Sequence, residues 1–128
     1  MYHFFLATMI FFVGSAQISY KSFKLPKSVS ETSGLETYGD YLITHNDSGD
    51  KPKLYIISRS GEKIIEIKIN NIENNDWEDI SSDSDHFYIA DTGNKYGTRE
   101  NLKIYILNKN FIPQGSIGIR YSKQSNYI

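Results

Sequence analysis

Cysteine is absent from the 128-residue chain, which excludes a disulfide, a thiolate zinc site and a lipoprotein anchor. Charge of one sign is missing too. With 14 basic against 15 acidic side chains, the formal net charge is -1. Neither nucleic acid nor an anionic membrane has surplus positive charge to act on, so neither is expected as a partner. Beyond the first sixteen residues no window of ten or more repeats its apolar positions at i, i+3, i+4 and i+7, so helix is not expected. There is no Gly-x-Ser-x-Gly elbow, no phosphate-cradling glycine loop ending in Lys-Ser/Thr and no dinucleotide fingerprint. Those absences remove the signals of nucleophilic and nucleotide chemistry. Hydrophobic residues at 39% and aromatics at 14%, with only three prolines, make the chain too apolar for disorder and too polar for an integral membrane bundle. One globular unit is the expectation.

Met1 to Ala16 carry no Asp, Glu, Lys or Arg, and the apolar run Phe4 to Val13 is followed by Gly14, Ser15 and Ala16. An apolar stretch of about ten residues falls short of the roughly twenty that span a bilayer. The pattern therefore reads as a secretory signal over residues 1–16, with residues 17–128 delivered to a secreted, periplasmic or extracellular location and no stable membrane span after cleavage. Such a compartment permits disulfides without requiring them.

What fills the rest is a series of short segments rich in Ile, Tyr, Phe and Leu between small polar turns. Eight strands are expected, at Thr32 to Glu36, Tyr41 to His45, Lys53 to Ser58, Glu62 to Ile69, Trp77 to Ser81, His86 to Asp91, Leu102 to Leu107 and Ser116 to Tyr121. Gly39-Asp40, Ser60-Gly61, Asp83-Ser84-Asp85 and Asn108-Lys109-Asn110 have the turn chemistry that joins antiparallel neighbours. Alternation in Glu62 to Ile69 puts Ile65, Ile67 and Ile69 on one face and Glu66 and Lys68 on the other.

The eight segments fall into two matching sets of four. Glu31-Thr32-Ser33-Gly34-Leu35 aligns with Asp76-Trp77-Glu78-Asp79-Ile80 at a spacing of 45. Tyr41-Leu42-Ile43-Thr44 aligns with Phe87-Tyr88-Ile89-Ala90 within a residue or two of that spacing, and Leu54-Tyr55-Ile56-Ile57 with Ile104-Tyr105-Ile106-Leu107 at 50. The extra length lies in the loop Asn94 to Asn101. A four-stranded unit recurring at about this period is the mark of a β-propeller blade, against the plainer alternative of two similar hairpin pairs in a small sandwich. At about 45 residues per blade, residues 17–128 supply about two and a half blades of a ring that normally has about four to eight. The expected fold is therefore all-β, a partial β-propeller of about two four-stranded antiparallel blades from the N-terminal part of a longer ring. Ile18 to Leu25 would serve as an outer strand closing its last blade.

At Glu31-Thr32-Ser33-Gly34-Leu35, Thr44-His45-Asn46-Asp47-Ser48-Gly49, Asp76-Trp77-Glu78-Asp79-Ile80 and Tyr88-Ile89-Ala90-Asp91-Thr92-Gly93-Asn94 the chain resembles secreted, mostly uncharacterised six-bladed β-propeller proteins of Bacteroidota type. The resemblance runs from about Leu25 to the C-terminus and implies that more than half of the ring lies outside this sequence. More distantly the chain is similar to gluconolactonase/regucalcin-like propellers and esterase-like phytase propellers. That likeness implies acidic and amide side chains holding calcium at a central tunnel.

Between Lys68 and Lys95 lie seven carboxylates and no basic residue. Glu31 and Asp76, at matching strand starts, together with Glu78 form the candidate metal set, since hard oxygen ligands suit calcium. The alternative is that these acids cap turns and bond backbone amides. Asn46-Asp47-Ser48-Gly49-Asp50 and Asp91-Thr92-Gly93-Asn94 follow strands, where loops carry binding groups or simply fold back on their own backbone. His45 beside Asp47 is either a general base or a hydrogen-bonded bystander. Trp77 is either a ligand platform or, within the inner-strand motif, a packing residue. The candidate ligand-binding residues are accordingly His45, Asn46, Asp47, Asp91 and Asn94. The leading functional expectation is an exported propeller that binds a small-molecule or protein ligand at its funnel; the second is a calcium-dependent hydrolase of a lactone or phosphate ester.

Overall fold

The computed structural model describes residues 20–61 and 64–120. The expected signal segment, 1–16, lies outside the described residues. Residues 20–26 carry no strand, so the outer strand expected at Ile18 to Leu25 does not form over its described part. The side chains of Phe23 and Leu25 instead lie along a sheet face, and a 3-10 turn at Lys27–Val29 leads into the first strand.

Eight strands follow: β1 Thr32–Tyr38, β2 Tyr41–Asn46, β3 Lys53–Ser58, β4 Ile64–Lys68, β5 Trp77–Ser82, β6 His86–Asp91, β7 Lys103–Asn108 and β8 Pro113–Gly118. They form two four-stranded sheets in sequence order, β1-β2-β3-β4 and β5-β6-β7-β8, with every neighbouring pair antiparallel. Seven strands lie within two residues of the sequence expectation. The eighth begins three residues early, because the preceding turn is tighter than its composition suggests. The side-chain carbonyl of Asn108 accepts the N–H groups of Asn110 and Ile112, and Phe111 takes a left-handed φ of 62°. The chain therefore reverses at once and pairs from Pro113.

The pairing register shows that the two sheets repeat one another. Thr32 faces Asn46 as Trp77 faces Asp91, and Leu35 faces Thr44 as Ile80 faces Ile89. Between these pairs both first strands carry the same bulge: Ser33 and Gly34 oppose His45 alone, and Glu78 and Asp79 oppose Ala90 alone. Farther out, Thr44 faces Tyr55 as Ile89 faces Tyr105, and Tyr55 faces Glu66 as Tyr105 faces Ser116. One alignment from the sequence is corrected. Leu42 and Thr44 correspond to Phe87 and Ile89, one residue from the match of Leu42 with Tyr88 and Thr44 with Ala90. A shift of one residue exchanges the two faces of a strand, so this correction decides how the sheets stack.

One core fills the space between the sheets. From the first sheet it takes Ile43, Leu54 and Ile56, and from the second Ile80, Phe87, Ile89, Tyr105 and Leu107. In the corrected alignment the counterparts of Ile43, Leu54 and Ile56 are Tyr88, Ile104 and Ile106, which lie on the far face of the second sheet. The sheets therefore pack one kind of face against the other kind, as units related by a rotation do; a two-fold sandwich would bury the same face of each. Tyr38, Phe87 and Phe111 close the outer end of this core, with the last two rings stacked at 5.3 Å. A second cluster, Val29, Tyr55 and Ile57 with Leu25, Leu42 and Ile64, covers part of the opposite face of the first sheet.

The first strands of the two sheets lie side by side. Ser33 Oγ donates to the carbonyl of Glu78 at 2.7 Å, and the Ser82 N–H donates to Glu36 Oε2 at 3.0 Å. Gly34 makes this approach possible. It sits at φ +54°, and a Cβ there would lie 2.7 Å from the Ile80 nitrogen and 2.8 Å from His45 Nε2.

Candidate functional site

Antiparallel pairing gathers the starts of β1 and β5, the ends of β2 and β6 and the loops that follow them at one end of the two-sheet unit. All of the candidate residues lie there. Asp47 N–H donates to the Glu31 carbonyl and Gly93 N–H to the Asp76 carbonyl, each at 3.0 Å. Glu31 and Asp76 therefore occupy matching places at the mouths of the two sheets, as their spacing suggests.

Three of the five candidate ligand-binding residues are buried, two holding the loops and one packed between the sheets. Asp91 is wholly buried. Its carboxylate accepts Asn75 Nδ2 at 2.8 Å, the Asp76 N–H at 2.9 Å and the Arg99 guanidinium at 3.0 Å. Asn46 donates to the Ser28 carbonyl and to Asp50 Oδ2, tying the entry segment to the loop after β2. Asp50 in turn accepts the Tyr55 hydroxyl at 2.9 Å. Burial pushes the Asp50 carboxyl up, but bonds from Tyr55, Asn46 and Lys51 outweigh it and hold the group below its ordinary range.

His45 is the third. Its ring is wholly buried between the sheets, edge-on to Trp77 at 5.6 Å. Nδ1 lies 3.0 Å from the Asn46 carbonyl, which can only accept, so Nδ1 carries the proton. Nε2 is left as a buried lone pair with no partner among the described residues. Burial depresses the pKa of the ring, with the Asn46 carbonyl and the Asp79 carboxylate pulling the other way. A base this enclosed has no route to a substrate. The geometry makes His45 a neutral packing group, held under Gly34 at the joint between the sheets.

Asn94 closes its own loop, its side-chain carbonyl accepting the Arg99 N–H at 2.9 Å. Arg99 also donates to the carbonyl of Gly93, so it ties the loop Asn94 to Asn101 back to β6. Asp47 is half-buried, and its carboxylate has no partner among the described residues. The carboxylates of exposed Glu31, half-buried Asp76 and exposed Glu78 likewise have no hydrogen-bond or ion-pair partner among the described residues. Asp76 and Glu78 both lean on Gly93, where an added Cβ would overlap the Asp76 carboxyl and come 2.6 Å from Glu78 Oε1.

Among the described residues no three His, Asp or Glu side chains group closely enough to hold a metal ion. Asp76 and Glu78 converge at Gly93 without Glu31 joining them in such a group. The set of Glu31, Asp76 and Glu78 thus does not fit a resident calcium on its own, and no chemical step is derived through one. What the end does present is a row of carboxylate acceptors.

Sequence reasoning passed over one residue that builds this end. Asn74, in the link between the sheets, donates to the carbonyls of Asn46 and Asp47 and accepts the Trp77 N–H. Trp77 is wholly buried, and its indole N–H donates to the Glu73 carbonyl at 3.0 Å, which makes it a packing residue. The available signal for Asn74 was an amide two residues before the Asp76-Trp77 strand start, a position that suits local backbone bonding.

No helix among the described residues is long and apolar enough to cross a membrane. Comparison with known proteins finds no matching family model, no matching curated protein and no matching solved structure.

Proposed function

We propose that this chain is part of an exported β-propeller, with its two sheets as adjacent blades, and that the end where β1 and β5 begin binds a ligand or partner. The observation that carries this reading is the stacking of two sheets in matching register through unlike faces. That relation can be extended by further copies, whereas a two-fold sandwich is complete at two. The leader-like composition of residues 1–16 supports export.

The carboxylates of Glu31, Asp47, Asp76 and Glu78, free of protein partners among the described residues, favour a ligand that brings hydrogen-bond donors or positive charge. Amines, guanidinium groups and clustered hydroxyls have that chemistry. Titration of the exported protein with spermidine and separately with sorbitol, followed by two-dimensional amide NMR, tests the reading. The expected result is saturable shifts confined to residues near Glu31, Asp47, Asp76 and Gly93 with at least one probe. Shifts with neither probe, or shifts centred on the opposite turns at Gly39 and Asp85, would overturn it.

A further inference from the structure

The repeat lets each side chain be compared with its counterpart, and at the outer strands the counterparts differ in charge. Lys53 opens β3 as Lys103 opens β7, and each has its ammonium over the ring of a tyrosine two residues on, 6.0 Å from the Tyr55 centroid and 5.6 Å from that of Tyr105. The cross-strand register matches as well. Tyr55 faces Glu66 as Tyr105 faces Ser116, and Lys53 faces Lys68 as Lys103 faces Gly118. The Ile69 N–H donates to the Pro52 carbonyl and the Ile119 N–H to the Leu102 carbonyl, both at 2.8 Å, so the match holds to the ends of β4 and β8.

Within this shared frame the first lysine is neutralised and the second is not. Lys53 Nζ lies 3.2 Å from Glu66 Oε1 and 3.7 Å from Asp50 Oδ1. The bond to Glu66 raises its pKa. At Lys103 the place of Glu66 is taken by Ser116. Among the described residues neither Glu73 nor Glu100, the acids that share its surroundings, forms an ion pair with it. Lys103 is half-buried, so its ammonium is partly withdrawn from water, where a charge attracts an opposite partner more strongly than in bulk solvent.

Space for that partner is present. A pocket of about 550 Å³ is lined by Asn101, Lys103, Ser116 and Arg120, with Glu100 at its border. Gly118 stands where the first sheet has Lys68, and an added Cβ there would meet nothing within 4 Å, so the approach to Lys103 is open. Arg120 adds a second cation where the first sheet has Asn70, and it too has no ion-pair partner among the described residues. Ammonium, guanidinium, hydroxyl and amide all donate hydrogen bonds, and together they match an oxyanion.

We infer that this pocket binds the carboxylate of a small organic acid, which takes on Lys103 the place that the Glu66 carboxylate takes on Lys53. Lys103 meets it as a point charge, and the planar fork of Arg120 suits a carboxylate held by two parallel bonds. The site belongs to the outer strands β7 and β8, whereas Glu31, Asp76 and Glu78 belong to the starts of β1 and β5. It needs only the register within each sheet and is independent of the blade reading.

The exported, isotopically labelled chain is titrated with sodium succinate and separately with sodium phosphate, at an ionic strength held constant with sodium chloride, and followed by two-dimensional amide NMR. The expected result is saturable shifts with succinate at Asn101, Lys103, Ser116 and Gly118. Lys103→Gln should weaken binding about tenfold, the scale of one charge-assisted hydrogen bond, while Lys53→Gln binds as the native chain does. Ser116→Glu gives the second sheet the residue of the first and should abolish the succinate shifts by filling the site from within, with the far-UV circular dichroism unchanged. Absence of saturable shifts with succinate overturns the inference. Undiminished binding to Ser116→Glu does so too, as does tighter binding of phosphate than of succinate, which would make this a phosphate site. None of these results bears on the spermidine and sorbitol titrations, which report on the inner strands.

Discussion

His45 is the residue at which chemistry and architecture meet. A general base needs access to a substrate proton, and this enclosed ring has none. Its depressed pKa still has a consequence. The unfolded chain takes up a proton near the ordinary value of 6.5 while the folded chain resists, so stability is fully present above that pH and declines as pH falls below it. Thermal unfolding followed between pH 8 and 5 should show this decline, and His45→Gln should flatten it; an unchanged slope in the variant would remove His45 as its source. Gly34, against the same ring, is a second point of control. Gly34→Ala places a methyl group in occupied space at a positive φ, and is expected to cost about 1–3 kcal/mol in denaturant unfolding. A neutral result would mean that β1 and β5 do not approach as closely as described.

At the scale of elements, strands were legible because half-buried antiparallel ribbons repeat their apolar residues every second position, and their turns carry Gly, Asn and Asp. Lys53–Ser58 and His86–Asp91 agree with the expected limits residue for residue. β8 starts three residues before the expected Ser116 because the turn that sets its start depends on one Asn108 side chain. For Asp91 and Asn46 the sequence left ligand binding and loop-holding open. A carboxylate after a strand has the same composition whether it faces a ligand or clamps a loop, and only burial and partners distinguish the two. For Asp91 the partners are decisive. Asp91→Ala strands the Arg99 guanidinium, the Asn75 amide and the Asp76 N–H together, with an expected loss of about 3–5 kcal/mol in unfolding free energy. A loss under about 1 kcal/mol, the level of an exposed ion pair, would show that the loop is held by something else.

The whole molecule is best understood as a unit with two unlike faces. Matching register alone does not fix that. It requires the one-residue correction that pairs Leu42 with Phe87, and neighbouring apolar residues in β2 and β6 made either alignment plausible from sequence. The same scale bears on metal chemistry. Seven carboxylates between Lys68 and Lys95 suggested a calcium centre, yet folding spreads them: Asp83 faces Tyr88 at the far turns, where bonds from the Tyr88 hydroxyl and the Asp85 and His86 N–H groups lower its pKa to about 2. Asp91 is consumed by its own loop. Calcium added at millimolar concentration to the exported chain should give no saturable heat by calorimetry and no thermal shift beyond that of an equal ionic strength of sodium chloride. A saturable calcium isotherm would restore the hydrolase expectation.

The most direct measurement is a set of methyl and aromatic nuclear Overhauser contacts between the two sheets of the isotopically labelled protein. Packing of unlike faces predicts contacts from Ile43 and Ile56 to Ile80, Phe87, Ile89 and Tyr105, with none from Ile43 or Ile56 to Ile104 or Ile106 within one chain. Intramolecular contacts from Ile43 or Ile56 to Ile104 and Ile106 would make the pair a two-fold sandwich and contradict the account.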